Sequence, residues 1–391
     1  MINVLIMAAL SAKHQLFSLS SGATTAATSI NLVIAVLIRQ ELIVNSLFWL
    51  LGRYPTSSPL RLRRLAAKVY HLGGVHSGTA IAATIWFGIS NVTLFKSLSS
   101  ISVKKDQITI QSITILLNIL LVITIVTALP AFRTWAHDLF KIVHPHVRLA
   151  DRSSELTVMD VVGASPVFWS LLLATFSIVL PWLRLRKVPV RSEPLSNHAL
   201  QLHFTGEGLP LCAAVRLSTR PLLKWHAFAT IPFDNGGGYS VIISNAGDWT
   251  ARLLESLPTK LWIRGIPTIG VLHMASIFNK VVLVATGSGI GPLLSLTNHQ
   301  HLIYRIIWLT PDPIATYSKP VMTKVREADP DAMIFNTTES GRPNLVRHVY
   351  RIYSMSGSEA VFLVSNPQTT RKVVYELESR GLPIFAPIFD S

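Results

Sequence analysis

One cysteine, Cys212, is all the thiol that the 391 residues contain. A single thiol forms no intrachain disulfide, no CxxC pair and no cysteine-based metal cluster, so a disulfide-built secreted domain is excluded. Charge is scarce as well. Asp, Glu, Lys and Arg make up 14% of the chain, against about 25% in an ordinary soluble domain. Acids are scarcer than bases, 20 against 35, which leaves a net charge of +15. No basic run with interleaved aromatics occurs, so this surplus does not mark a nucleic-acid site. The opening Met1–Leu10 is apolar but lacks a small-residue cleavage site, and does not read as a removed signal peptide. Half of the residues are hydrophobic and mean hydropathy is +0.44, which excludes a disordered chain and speaks against a wholly soluble one.

The scarcity of charge is uneven. Residues 1–183 hold 14 basic and 6 acidic side chains, and residues 184–391 hold the remaining 21 and 14. The boundary falls where Pro181-Trp182-Leu183 gives way to Arg184-Leu185-Arg186-Lys187. A helix needs about 20 apolar residues to cross a hydrocarbon core. Stretches 23–51, 76–95 and 109–132 meet that length, and 166–183 is short of it. These four predict a helical membrane domain over 1–183. Arg39 and Glu41 interrupt the first stretch, either as an ion pair at membrane depth or as a break in the helix. Lys and Arg gather after the first, third and fourth stretches, where they meet anionic lipid. By the positive-inside rule these ends, and the whole C-terminal half, face the cytosol. That assignment leaves the fourth stretch starting and finishing on one side, so either that stretch is re-entrant or a crossing is missing near 147–165, a run too charged to supply it.

The second half has another texture. Short runs recur between turn signals over 190–275: Leu200–Phe204, Ala213–Ser218, Trp225–Ile231, Tyr239–Ser244 and Lys260–Gly265. Their spacing predicts a small antiparallel barrel. Over 278–391 the apolar runs Lys280–Ala285, Tyr304–Leu309 and Ala360–Ser365 alternate with helical stretches 319–329, 344–355 and 369–380. That order predicts a parallel sheet with crossover helices. The first of these strands runs into Gly287-Ser288-Gly289-Ile290-Gly291-Pro292. Glycines there let the backbone approach a pyrophosphate, and the helix that follows offers unpaired N–H groups. No acidic residue ends the second strand in the usual ribose position unless Asp312 serves.

Three motifs in order resemble the ferredoxin-reductase-type half of ferric reductases and NADPH oxidases. His226-Ala227-Phe228-Ala229-Thr230-Ile231 resembles the flavin motif, Gly247-Asp248-Trp249-Thr250 matches a segment of the oxidases, and Val284–Pro292 resembles the nicotinamide-nucleotide loop. The resemblance is closer still to fungal transmembrane flavoproteins of the TmpA type, and to the membrane tails of fungal adenylation proteins that look like nonribosomal peptide synthetases. Tyr70–Gly78, Ser365-Asn366-Pro367 and Pro387–Ser391 carry it further. It implies an α-helical transmembrane bundle, then an FAD-type β-barrel, then an α/β NAD(P)H domain, with electrons passing from NAD(P)H through FAD to an unidentified acceptor. It places Phe228 on the isoalloxazine, His226 near the flavin phosphates or ribityl chain and Thr230 at the ring edge. Trp249 and Thr250 open a helix that holds the flavin diphosphate. Gly287–Pro292, Thr310 and Ser365-Asn366-Pro367 line the nucleotide pocket, and Phe389 or Phe385 is the terminal aromatic.

The departures from the family pattern bear on activity. Ala229 stands where a hydroxyl bonds the flavin, Ser244-Asn245-Ala246 where an Arg precedes Gly247, and Ser365 where a Cys meets the nicotinamide. Arg264 is a substitute for that missing cation. Thr310-Pro311-Asp312 brings no Arg for a 2′-phosphate, so the sequence does not choose NADPH over NADH. For haem the candidates are His76 with His137 or His144; all lie near predicted helix ends, and interfacial histidines are favoured over iron ligands. The sequence thus predicts a multi-pass membrane flavoprotein oxidoreductase whose partners are the lipid bilayer and an electron acceptor. The alternatives are a catalytically degenerate sensor or scaffold that keeps the fold, and a transporter, which more than half the chain argues against.

Overall fold

The structure is a computed structural model and describes residues 2–13, 15–16, 19–98, 104–128, 166–297 and 301–387. The chain forms two compact units, one from Met1–Gln40 with Leu72–Val179 and the other from Glu41–His71 with Leu180–Ser391.

The first unit is helical: Ile2–Ala12, Ser21–Leu37, Leu72–Leu98, Lys104–Ala128 and most of Pro166–Leu183. Small and polar side chains fill the helix contacts. Thr24, Ser29, Asn31 and Ala35 of Ser21–Leu37 are buried, as are Ala82, Ala83, Ser90 and Asn91 of Leu72–Leu98. Thr25 meets Ser90 hydroxyl to hydroxyl at 3.1 Å, and the Trp86 indole donates to Asn3 Oδ1 at 3.0 Å. Many large apolar side chains point outward: Ile30, Ile34, Ile81, Ile85, Ile115, Leu116, Ile119, Phe176 and Ile178 are exposed, while Trp86 and Ile89 are buried. Among the described residues one helix, within Leu60–Lys96, is long and apolar enough to cross a membrane, and a second counts if the broken pair Gly22–Leu37 and Glu41–Leu51 is one span. A four-helix transmembrane bundle is therefore not what the described residues show. The stretch 109–132 is helical to Ala128, and the missing crossing near 147–165 lies outside the described residues.

The second unit holds two folds. Eight strands, β1 (Arg186–Pro189), β2 (Arg191–Pro194), β3 (Ala199–Thr205), β4 (Ala213–Ser218), β5 (His226–Ala229), β6 (Ile231–Pro232), β7 (Gly238–Ser244) and β8 (Lys260–Ile269), make two four-stranded sheets of order β1-β8-β4-β5 and β2-β3-β7-β6. Every pairing in them is antiparallel. The sheets enclose one core of Leu200, Leu202, Val215, Leu217, Val241, Ile243 and Leu261, closed by Trp249 and Leu253 of the helix Asp248–Ser256. Then β9 (Lys280–Thr286), β10 (Ile303–Thr310), β11 (Met333–Asn336), β12 (Ala360–Val364) and β13 (Ile384–Phe385) form a parallel sheet of order β11-β10-β9-β12-β13. Its central strands are buried on both faces, which is why they read as unbroken apolar runs.

Residues 41–71, which the charge pattern groups with the helical half, pack with the second unit. Phe48, Ala66, Ala67 and Val69 join the core under the parallel sheet. Glu41 answers the question of the interrupted stretch: the helix stops at Leu37, a new one starts at Glu41, and the buried carboxylate binds Arg216 and the Ile266 N–H (2.7 Å). Asn45 bridges Pro267 O and Ile269 N at 2.9 and 2.8 Å. Arg63 clamps Glu359 through both guanidinium ends, at 2.7 and 3.0 Å. These partners lie hundreds of residues away, and no local pattern announces them.

Candidate functional site

The parallel sheet has one topological switch point. From β9 the chain crosses to β10 on one side, and later returns to β12 on the other. Ligands of open α/β sheets bind in the crevice outside the carboxyl ends of the strands at such a point. Here that crevice carries the end of β9 with Gly287–Pro292 and the end of β12 with Ser365-Asn366-Pro367.

The turn demands its glycines. Gly287 has φ +54, and a Cβ on Gly289 would lie 2.4 Å from Val364 O, so the two strand ends approach as only a bare backbone allows. Trp308 Nε1 donates to Gly287 O at 3.0 Å and fixes the turn from beneath. The helix that follows, Ile290–Leu294, is only five residues long. Its dipole is small, so the N–H groups that an anion could meet at this turn are mainly the turn's own. Gly291 abuts the barrel, with Ile242 at 3.6 Å and Ile231 at 3.9 Å from where a Cβ would sit.

Hydroxyls surround the crevice. Thr286 and Ser365 share a hydrogen bond of 2.6 Å, and Ser244 of β7 meets the Tyr317 hydroxyl at 3.1 Å. Burial holds the Tyr317 phenol above its ordinary value, opposed by its hydroxyl contacts, so it is a neutral donor. Thr310 Oγ1, at the end of β10, is buried and is one of the hydroxyls that face Tyr317. Asn366 caps the helix Pro367–Glu378, its Oδ1 accepting from Thr369 N at 2.9 Å. Asp312 caps Pro313–Ala328 in the same way through the N–H groups of Ile314 and Ala315. The structure thus brings Gly287, Ser288, Gly289, Ile290, Gly291, Pro292, Thr310, Ser365, Asn366 and Pro367 to one edge of the sheet. Tyr317 and Ser244 belong there too, and their positions carry no sequence signal.

The barrel residues form a second group. Register pairs Phe228 with Val215 and His226 with Leu217, so both rings point to the inner face. There they meet Trp249: His226 stacks on the indole at 4.2 Å and 20°, and Phe228 lies at 5.8 Å and 21°. Trp249 is buried, while Phe228 and His226 are half-buried. Two hydroxyls expected at a flavin are engaged elsewhere. Thr230 Oγ1 is buried and donates to Ala213 O at 3.0 Å. Thr250 Oγ1 accepts from Ala246 N and Gly247 N at 2.9 and 3.0 Å and caps its helix. Arg264 is held between Trp182 and Trp225, 4.7 and 4.8 Å from the ring centres, and burial, then Arg216, brings it down to about 10. Phe385 is core, packed on Phe278 and Phe362, and Phe389 lies outside the described residues. So do His137 and His144; His76 Nδ1 sits 2.8 Å from Ala35 O.

Two surface cavities, of about 450 and 460 Å³, are lined by other residues, the second by Trp49, Arg53, Cys212 and His273. Cys212 lies in a strained backbone (φ 59), and burial pushes its thiol up to about 12, which makes it part of the wall and no nucleophile.

Residues 271–391 match the family described as adenylate-forming reductase 03009, C-terminal domain. Two curated proteins of Coprinopsis cinerea are relatives. Adenylate-forming reductase 03009 is 37% identical over 376 residues and adenylate-forming reductase 06235 is 38% identical over 379, in each case over 92% of this chain and 36% of the relative. The chain therefore spans about a third of the length of these proteins. Among solved structures, the ferredoxin NADP+ reductase of Neisseria gonorrhoeae with bound FAD and NADP aligns with 52% of this chain and 98% of its own at 13% identity and a TM-score of 0.41. The ferredoxin-NADP+ reductase of Plasmodium falciparum aligns with 52% and 95% at 10% identity and 0.39.

Proposed function

We propose that this chain is the redox portion of a membrane-anchored, flavin-dependent NAD(P)H oxidoreductase, with the second unit on the cytosolic side. The observation that carries the reading is the glycine turn at the switch point of a parallel sheet, pressed against an antiparallel barrel. Such a turn suits a dinucleotide diphosphate. Thr286, Ser288, Thr310 and Ser365 line it with hydroxyls, the kind of polar lining that orients a nucleotide.

The fit for FAD rests on the barrel. The half-buried Phe228 ring offers an apolar seat for isoalloxazine. No atom lies within 4 Å of where a Cβ of Gly247 would sit, so there is room at the amino end of Asp248–Ser256, whose first N–H groups have no intrahelical partners. Phe228, Gly247 and that helix end would hold the flavin, while His226, Thr230 and Thr250 support the site through Trp249, Ala213 and the helix cap. Bound there, the flavin would accept a hydride and release single electrons, which is the chemistry this reading requires. The acceptor is a separate molecule that this reading does not name.

Membrane anchoring is supported by the outward-facing Ile, Leu and Phe side chains of the helical unit and by the cationic run at 184–187. A second reading, a scaffold that keeps the fold without turnover, is favoured by the engaged Thr230 and Thr250 hydroxyls and by Ala229. Detergent-purified full chain separates the two. The oxidoreductase carries stoichiometric FAD and oxidises NADH or NADPH with an artificial acceptor; the scaffold does neither.

A further inference from the structure

The turn between β4 and β5 has no job in the reading above, and it is built in an unusual way. It presents Leu222 at 80% and Leu223 at 66% exposure. The pair is not the tip of a slack loop. Ser218 Oγ accepts from Arg220 N and donates to Arg220 O, at 3.0 and 2.8 Å. Leu223 N returns to Arg220 O at 3.1 Å, and Trp225 Nε1 donates to Pro221 O at 2.8 Å. The turn is tied by its own hydrogen bonds, and they hold both leucines away from the barrel core.

Its surroundings say what covers it. Trp225 stands edge-on to Trp182 at 6.2 Å, with the Arg264 guanidinium over both rings. Trp182 ends the apolar helix Pro166–Leu183, and Leu183 is itself 68% exposed. Neither 181–191 nor 218–227 contains an Asp or Glu, while Arg184, Arg186, Lys187, Arg220 and Lys224 all reach solvent. Exposed leucines, tryptophans behind them and cations around them, with no acid among them, are the composition of a membrane-water boundary. A bilayer surface offers anionic headgroups for the cations and an acyl boundary for the leucines side by side.

We propose that the 219–225 turn seats in the headgroup layer of an anionic bilayer, Leu222 and Leu223 entering the acyl boundary and Arg220 and Lys224 meeting lipid phosphate. This rests on the membrane reading and adds a second attachment, next to the helix end at Leu183, that fixes how the barrel meets the bilayer.

The chain suits a direct test, because its one native thiol is buried and unreactive. Leu222→Cys and, for comparison, the 77%-exposed Tyr375→Cys are labelled with nitrobenzoxadiazole in the full chain. Both go into nanodiscs of phosphatidylcholine with phosphatidylserine. The expected result is blue-shifted emission at 222, protection from iodide and strong quenching by nitroxide-labelled lipid, with the reverse at 375. Adding Arg220→Glu and Lys224→Glu, or omitting phosphatidylserine, should weaken the lipid quenching at 222. The proposal is overturned if iodide quenches 222 as readily as 375. It is equally overturned if 222 is shielded without lipid quenching, which would mean a protein contact. A chain that never enters the discs would sink the membrane reading itself, and that outcome is scored separately by co-elution with lipid.

Discussion

At the scale of single residues, two glycines carry sharp expectations. A Cβ at Gly289 would lie 2.4 Å from Val364 O, and a carbonyl on a central strand cannot retreat. Gly289→Ala should therefore open the crevice edge and weaken NADH and NADPH binding by roughly tenfold or more, which is about 1.4 kcal/mol. Titrating nucleotide against the variant checks this, with the barrel's flavin content as the control. Gly265 is the barrel's counterpart: φ is +71, and an added Cβ would collide with the Glu41 carboxylate. Gly265→Ala should cost about 1–3 kcal/mol of stability through strain and displacement of that carboxylate, read as a lower melting temperature. Glu41→Gln should mimic part of the loss, because it leaves Arg216 without its counter-charge.

Among elements, the segment Glu41–His71 acts through its clamp. Arg63 is buried against Glu359, and the Arg63 hydrogen bonds pull the Glu359 carboxyl down to about 2 despite some desolvation. A depressed carboxyl contributes stability that is full above the unfolded value, near 4.5, and is lost as pH falls from there through about 2. Arg63→Met should destabilise the second unit by about 1–3 kcal/mol, since the partly buried Glu359 carboxylate keeps only its two Asn279 hydrogen bonds. It should also flatten the acid limb of the stability-pH curve. An unchanged acid limb would show that the clamp contributes nothing. The same packing predicts that residues 184–391 expressed alone aggregate, and that adding 41–71 restores solubility.

How much of this was legible follows from the same elements. The apolar runs at 213–218 and 280–285 match β4 and β9 because buried strands write themselves as such runs. The strands β1 and β2 were not readable. Each pairs on one side only and carries Arg, Lys or Glu with Pro189 or Pro194, the usual dress of a sheet edge and the opposite of a core pattern. The helix placed at 319–329 is there, ending at Ala328; a short helix from Pro313, capped by Asp312, precedes it, and the two meet at Ser318, whose backbone is not helical (φ 75, ψ 159). At the site, the glycine turn was visible because only glycine fits its geometry. The stacking of His226 on Trp249, and the diversion of the Thr230 hydroxyl to Ala213, depend on which face β5 turns inward. Residue types do not reveal that.

For the whole molecule, the division of labour is between a helical unit with an apolar exterior and a unit with barrel and parallel sheet. The relatives are nearly three times as long as the segment they share with this chain. Membrane extraction tests the anchoring: the full chain should stay with the pellet through alkaline carbonate and dissolve only in detergent.

On the proposed reading, nucleotide at the glycine-turn crevice reduces a flavin seated at the barrel. Anaerobic addition of NADH, then NADPH, to detergent-purified full chain loaded with FAD tests it most directly. The visible flavin band should bleach in wild type, and in Gly289→Ala it should need roughly tenfold more nucleotide to bleach to the same extent. A chain that holds no FAD after loading, or FAD that neither nucleotide bleaches, would contradict it.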